Sequence, residues 1–468
     1  MITLAEDFVH AHPINTDNIE GPDSLRLPTP YQPMYNRVNN YTVWQGYLLP
    51  IEYTSWRDEA LAAQETCAMA INLNPCPWLR VEGPDALQFL KDNLVNKLDK
   101  FAIGSSKHGV MCLDNGNVAG SGVMMRTGEQ SYEVTCLSPA LNLRFEQKEY
   151  DATLEDLTES VFMFQLIGPK SLEIVEDACQ EDFHDLKLCR FRESTMCGKK
   201  VRVLRFGMTG GLAYEVHGKI EDAPLIHQRL CEVGNKYGLR LMGFEAYMLS
   251  HTPGASQQFY LHYIPEMPQE CLDMYMTVDS SDEPDSIITG SASDHPEKFY
   301  MNPFELSLDN VCDFDRPFRG RDALLEYKKD PKRKMVTLKW NPEDLVDIYA
   351  SQFEEGEPYK QIDYPGQSYC INHGEETSFD YVLDADGNEI GISSGRTFAP
   401  WHKAMLSLAS IDLPYTELGT EVYVLWGDPG TRQKKIRATV EKMPYNENYS
   451  NRTFDVEQIP HLADREAC

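Results

Sequence analysis

The chain has 468 residues, 42% of them hydrophobic, with 28 prolines along its length, enough for two or three domains and a sizeable core. Its 43 basic and 73 acidic residues leave a formal net charge of −30 at pH 7. That charge repels phosphate backbones and anionic lipid surfaces over a screened range of about 10 Å, which argues against nucleic acid and membrane partners.

The N-terminus, MITLAEDFVHAHPINTDN, lacks the basic start and apolar run of a secretory signal, so a cytoplasmic location is expected. The twelve cysteines show no C-x-x-C and no paired Cys/His spacing; reduced, mostly buried thiols and no metal site are expected. Residues 1–40 are polar and proline-rich (LPTPYQP) and read as an arm laid over the surface. Folding proper starts near Tyr41. SWRDEALAAQETCAMAINL has helical spacing, WLRVEG alternates like a strand, and Pro84 and Asp85 open an amphipathic helix in GPDALQFLKDNLV. HGVMCLD and VAGSGVMMR alternate on either side of Asn115-Gly116, a tight-hairpin dipeptide, and SYEVTCL is a third strand.

VFMFQLIG followed by PKSLEIVEDAC repeats the order strand, Gly-Pro, amphipathic helix met at residues 79–95, a pattern that suggests an internally duplicated α/β layer. KKVRVLRFGMTGGLAYEVHG reads as two strands around a glycine turn, followed by the helix APLIHQRLCEVGNKYG. Residues 255–300, rich in Tyr, Met, Ser and Asp, suit an irregular excursion near a pocket. After GRDALLEYKK the pattern changes to MVTLKW, YVLDADGNEIGISSG, AMLSLASI, EVYVLWG and KIRATVEKM, which predicts a small β-barrel from about residue 333. The expected organisation is an arm (1–40), a main α/β domain (41–332), a barrel (333–446) and a tail (447–468).

Two glycine-rich stretches invite a phosphate-binding reading. VAGSGVMMR runs on as a strand and lacks the third glycine and the helix of a dinucleotide fingerprint. RFGMTGGLAYEV (205–216) has no Lys-Ser or Lys-Thr after its glycines and leads into a strand rather than a helix N-terminus. It reads as a sharp turn whose following strand carries one carboxylate, Glu215. Tyr214 and Val216 flank it, so Glu215 occupies the face opposite two apolar side chains. Alternation leaves open whether that face is wet or lines a pocket.

Six ordered blocks, GYLLPIEY (46–53), VEGPDALQFL (81–90), LIGPKSLEIV (166–175), RFGMTGGLAYEV, FDRPFRGRDAL (314–324) and IGISSG (390–395), resemble the aminomethyltransferase family, the folate-binding T-protein of glycine cleavage. The resemblance spans roughly residues 40–445. It implies an α+β fold: a folate-binding aminomethyltransferase-like α/β region with a C-terminal antiparallel β-barrel. MVTLKWNPEDLVDIYASQF, YMNPFELSLDNVCDFDRPFRGRDAL and Tyr247 in FEAYMLS look most like the tetrahydrofolate-dependent O-demethylases of methoxy aromatics.

By that resemblance, Glu215 holds the amino-pyrimidine edge of tetrahydrofolate, since a carboxylate accepts two parallel N–H bonds. Gln165 in FQLIGP and Asn96 in LVNKLDK are the further folate contacts it implies, and Tyr247 is the acid or hydrogen-bond donor to a departing phenolate. The T-protein's catalytic aspartate is replaced by Lys97, with Asp99 two residues away, which disfavours glycine cleavage. Leu49, Asn74, Pro75 and Leu137 replace a tyrosine, two histidines and an arginine of the vanillate enzyme, so a carboxylated substrate is not assured. The expected reaction transfers a methyl group from a methoxy aromatic compound to N5 of tetrahydrofolate. The alternatives are a sulfonium or methylamine donor, or a non-catalytic folate-binding protein.

Overall fold

Two units of the same construction make up the body of the protein. A computed structural model describes residues 41–44, 47–71, 76–137, 140–267, 288–366, 377–446 and 451–465; the expected arm, Asn74 and Pro75 lie outside them. In the first unit, strand Trp78–Glu82 passes through Gly83-Pro84 into helix Ala86–Asn93. Strands Ser105–Cys112, Val118–Arg126 and Ser131–Thr135 then meander back until the last pairs antiparallel with Trp78–Glu82. In the second, strand Val161–Ile167 passes through Gly168-Pro169 into helix Ser171–Cys179, and strands Phe191–Met196, Lys199–Leu204 and Ala213–Lys219 return to pair with it.

The two joints agree in detail. Gly83 and Gly168 have φ of 139° and 129°, and the Ala86 and Ser171 N–H groups each donate to the glycine carbonyl three residues back at 3.0 Å. A Cβ on Gly168 would stand 2.6 Å from the Thr66 carbonyl oxygen, so glycine is required there by both conformation and space. Strand Thr153–Asp156 extends the first sheet to five strands, and Cys67–Ala70 with the parallel Leu239–Met242 extends the second to six.

Two local expectations are corrected. The helical spacing over SWRDEALAAQETCAMAINL covers two elements: helix Trp56–Glu65, capped by Ser55 Oγ accepting from Asp58 N–H, and strand Cys67–Ala70. All four residues of that strand are buried, and a short apolar run covered on both faces has no period to read. At Asn115-Gly116 the turn is wider than a two-residue hairpin: Leu113 N–H donates to the Asn117 carbonyl, and Asn115 Oδ1 accepts from Asn117 N–H.

The C-terminal barrel is closed by six antiparallel strands. Arg333–Trp340, Ala404–Asp412, Glu389–Ala399, Thr377–Leu383, Glu421–Trp426 and Lys434–Glu441 pair in that order, and the last returns to the first. Trp340 and Trp426 fill it, their rings 6.0 Å apart, and Trp340 Nε1–H donates to Ser407 Oγ at 2.9 Å. A short piece of the irregular segment, Ile288–Thr289, adds in parallel to Thr377–Ser378. The nine described cysteines are free thiols, and no helix of the described residues is long and apolar enough to cross a membrane.

Between the two sheets lies an apolar layer holding Trp78 and Met125 from the first, Met163, Ile167 and Ala213 from the second, and Phe244, Tyr247 and Met248 from helix Phe244–Leu249. Gly168→Ala should lower the unfolding free energy by about 2–4 kcal/mol. A urea transition with an unchanged midpoint would contradict the joint described above.

Candidate functional site

Strand Ala213–Lys219 lies between Lys199–Leu204 and Val161–Ile167, with Glu215 opposite Gln165 and His217 opposite Met163. Alternation sends Tyr214 and Val216 into the core under the helices, and turns Glu215 and His217 toward the first sheet. There they line a cavity between the two sheets. The open question about the face of Glu215 is thereby answered: it is a pocket wall, and the carboxylate is 4% exposed.

That carboxylate is held from both sides. Gln165 Nε2 donates to Oε1 at 2.8 Å, and His217 Nε2 lies 2.9 Å from Oε2. Each oxygen has two lone pairs, so each keeps one for a ligand. Gln165 Oε1 is fully buried and has no partner among the described residues. Behind His217, Trp78 meets its ring edge-on at 5.0 Å and donates Nε1–H to Glu133 Oε2 at 3.1 Å. Burial pushes the Glu133 carboxyl up, but the hydrogen bond and charge of Arg202, 2.7 Å away, hold it below the usual carboxylate range.

Tyr247 lines the same cavity. Burial first, then the nearby Cys76, Glu215 and Cys136, push its hydroxyl well above the usual phenol range. It therefore remains a proton carrier at neutral pH. His108 also faces the cavity, and burial lowers it to about 4, so it is neutral there. Cys76 and Cys136 share a hydrogen bond at the wall, which draws Cys136 down and pushes Cys76 well up.

The structure brings together three of the four residues named from the sequence: Glu215, its partner Gln165, and Tyr247 across the cavity. Asn96 is elsewhere employed. Its Nδ2 donates to the His108 carbonyl at 2.6 Å and its Oδ1 accepts from Val110 N–H at 2.9 Å, so both ends of the amide support the strand that carries His108. Lys97 Nζ reaches the Asn310 carbonyl, and Asp99 pairs with Lys91; neither lines the cavity. Leu137 packs in the core of the first sheet and Leu49 in the layer between the sheets.

The tail, which had no role in the sequence, locks the glycine turn. Asn451 N–H donates to the Gly210 carbonyl at 2.9 Å, and Arg205 Nε donates to Asn451 Oδ1 at 3.1 Å. Further on, the His461 ring stacks on His184 with centroids 3.8 Å apart, and its Nδ1 lies 2.7 Å from Asp182 Oδ2. Three side chains able to ligate a metal thus meet where no sequence spacing marked them, and all three are engaged in hydrogen bonds.

His217, Trp78, His108 and the two thiols were missed from the sequence. His217 alone had a signal, since it stands two residues after Glu215 on the same strand face. The others come from the first sheet and only the stacking of the units brings them in.

A buried carboxylate held by Gln165 and His217 thus faces a cavity between duplicated sheets that aromatic, sulfur-bearing and neutral polar side chains line. The family model of the GCVT N-terminal domain matches residues 36–252. The chain is 37% identical over 428 residues, 89% of its length and 94% of the relative's, to Sesamin methylene transferase of Sinomonas sp.. It is 29% identical over 435 residues, 88% and 92% of the two lengths, to Syringate O-demethylase of Sphingobium sp.. Among solved structures, the glycine cleavage system aminomethyltransferase T from Bartonella henselae superposes with a TM-score of 0.67 at 17% identity, covering 91% of this chain and 99% of that one.

The chain belongs to the aminomethyltransferase family. It has that family's fold, and it is a tetrahydrofolate-dependent transferase. The residues present fit the cofactor: two spare carboxylate lone pairs and the orphaned Gln165 Oε1 form a row of acceptors for ring and amino N–H donors.

Asn96→Ala should lower stability by about 2 kcal/mol through the two backbone partners it abandons, while the tetrahydrofolate Kd stays within about threefold. Isothermal titration beside a urea transition checks both; a large loss of affinity in a variant of normal stability would return Asn96 to the folate site.

Proposed function

We propose that the chain is an O-demethylase that moves the methyl group of an uncharged methoxy aromatic compound to N5 of tetrahydrofolate, leaving a phenol and 5-methyltetrahydrofolate. The observation that carries this reading is the cavity wall. Trp78, Phe244, Phe259 and four methionines (Met125, Met163, Met208 and Met248) surround Tyr247, and among the described residues no lysine or arginine lines it. Aromatic rings and adaptable thioethers suit a substituted aromatic donor. A carboxylated donor such as syringate would bring a buried charge without a cation to pair it.

When bound, tetrahydrofolate supplies the amine nitrogen that takes the carbon. The chain supplies the rest. Glu215 and Gln165 would hold the pyrimidine edge, and charge-assisted bonds of this kind contribute roughly 1.5–3 kcal/mol each. Tyr247, kept protonated by burial, can donate to the ether oxygen as negative charge develops on it. The exchange needs no oxidant: the ring oxygen trades a methyl group for a proton, and the amine trades a hydrogen for the methyl group.

A second reading is favoured by the 37% identity to a protein named sesamin methylene transferase: the donor carries a methylenedioxy bridge and a CH₂ unit is passed. The same apolar wall suits it, and the product distinguishes the two.

Purified protein should be incubated with tetrahydrofolate and neutral methoxy aromatics, their carboxylated counterparts, methylenedioxy aromatics, sulfonium compounds and methylamines, and the folates identified by mass spectrometry. We expect 5-methyltetrahydrofolate from the neutral methoxy aromatics. Methylenetetrahydrofolate from the methylenedioxy compounds alone would establish the second reading, and no one-carbon folate from any aryl ether would overturn both. Glu215→Ala should raise the tetrahydrofolate Kd about 100-fold or more. Tyr247→Phe should lower kcat about 100-fold with Kd within about threefold; undiminished turnover would remove Tyr247 as the donor.

A further inference from the structure

We propose that His217 is a folate-binding residue, its Nδ1 accepting a hydrogen bond from the pterin edge beside Glu215; the proposal rests on the folate anchor argued above. His217 follows Glu215 by two residues, so both side chains leave the strand on the cavity face. Its Nε2 stands 2.9 Å from Glu215 Oε2. The carboxylate accepts at that contact, which assigns the ring hydrogen to Nε2 and leaves a lone pair on Nδ1.

Nδ1 is buried and has no partner among the described residues, and His217, 3% exposed, lines the cavity. Buried polar atoms are ordinarily paired, and an exception beside a ligand cavity points to a ligand atom as the missing partner. The ring is also braced by Trp78, itself tied to Glu133 and through it to Arg202.

Gln165 Oε1 is orphaned on the same face. With it, the two carboxylate oxygens and His217 Nδ1 place four acceptor atoms on this pair of strands. A reduced pterin carries an amino group and several ring N–H groups, so an acceptor row meets a donor edge.

The experiment measures the Kd of tetrahydrofolate, kept anaerobic and without a methyl donor, for the wild type and two variants. His217→Asn keeps a polar atom near the Nδ1 position and gives up the reach to Glu215; His217→Gln keeps the reach and gives up Nδ1. We expect a Kd within about threefold of wild type for His217→Asn and about tenfold weaker for His217→Gln. The opposite ranking, with His217→Gln equal to wild type and His217→Asn weak, would show that His217 only holds Glu215 and would overturn the proposal. Should a variant not fold, the nitrogen-15 chemical shift of His217 Nδ1 in the labelled wild type decides: no change on adding tetrahydrofolate overturns the proposal. Glu215→Ala separates the two levels, because retained binding there sinks the folate anchor itself, whereas binding lost there with His217→Gln unaffected sinks only His217.

Discussion

The hydrogen bond from Gln165 to Glu215 depends on the register between two strands, and the whole site depends on it in turn. Side chains alternate along a strand, so a slip of one residue would put Glu215 into the core among Phe164 and Leu172 and turn Val216 toward the cavity. A buried carboxylate without partners is costly, and that cost rejects the slipped pairing. The correct register is pinned at one end by Gly168 N–H donating to the Leu212 carbonyl at 2.8 Å. The glycine turn is held by Asn451, whose backbone and side chain bind Gly210 and Ala213. The tail thus acts on the site through the turn, without lining the cavity.

Duplication explains where the cavity sits. Each unit covers one face of its sheet with its own helix, Ala86–Asn93 in the first and Ser171–Cys179 in the second, and leaves the other face to be covered by its neighbour. The seam between two such faces is apolar by construction, and polar side chains survive there only where they are paired. Glu215 with Gln165 and His217, and Glu133 with Arg202 and Trp78, meet that condition. The barrel steadies the third wall: Thr252 Oγ1 donates to the Gly395 carbonyl at 2.6 Å and lies 3.0 Å from His262 Nε2. Gln258 N–H donates to the same imidazole, and burial lowers that ring to about 3, so it stays neutral as a relay of hydrogen bonds. The segment carrying Tyr247 and Gln257 is thereby fixed to the barrel as well as to the sheets.

The sequence disclosed what is local. The Gly-Pro joints, the face of Glu215 and the alternating barrel strands follow from residue spacing, and the joints proved alike to within 10° in φ. The strand Cys67–Ala70 was hidden because burial on both faces erases periodicity. Asn96 is a different case: an amide in a family motif can serve the cofactor or the backbone, and its contacts with the His108 carbonyl and Val110 N–H do not follow from the sequence. The first-sheet wall was invisible because Trp78 and His108 stand more than a hundred residues before Glu215 in the chain.

Proton management is the remaining constraint on the chemistry. Glycine cleavage in the family relies on a carboxylate where this chain has Lys97, and Lys97 is turned to the Asn310 carbonyl, with Asp99 occupied by Lys91. Among the described residues, Glu215 is the one carboxylate that lines the cavity, and it already has two partners. A group that must release a proton in such a place needs a high affinity for protons in the resting state and a developing negative charge to give it to. Burial supplies the first at Tyr247, and a departing aryl oxygen supplies the second, whereas an amine donor would develop no such charge. Under the function proposed above, ether cleavage is the transfer that uses a buried, protonated phenol beside the cofactor.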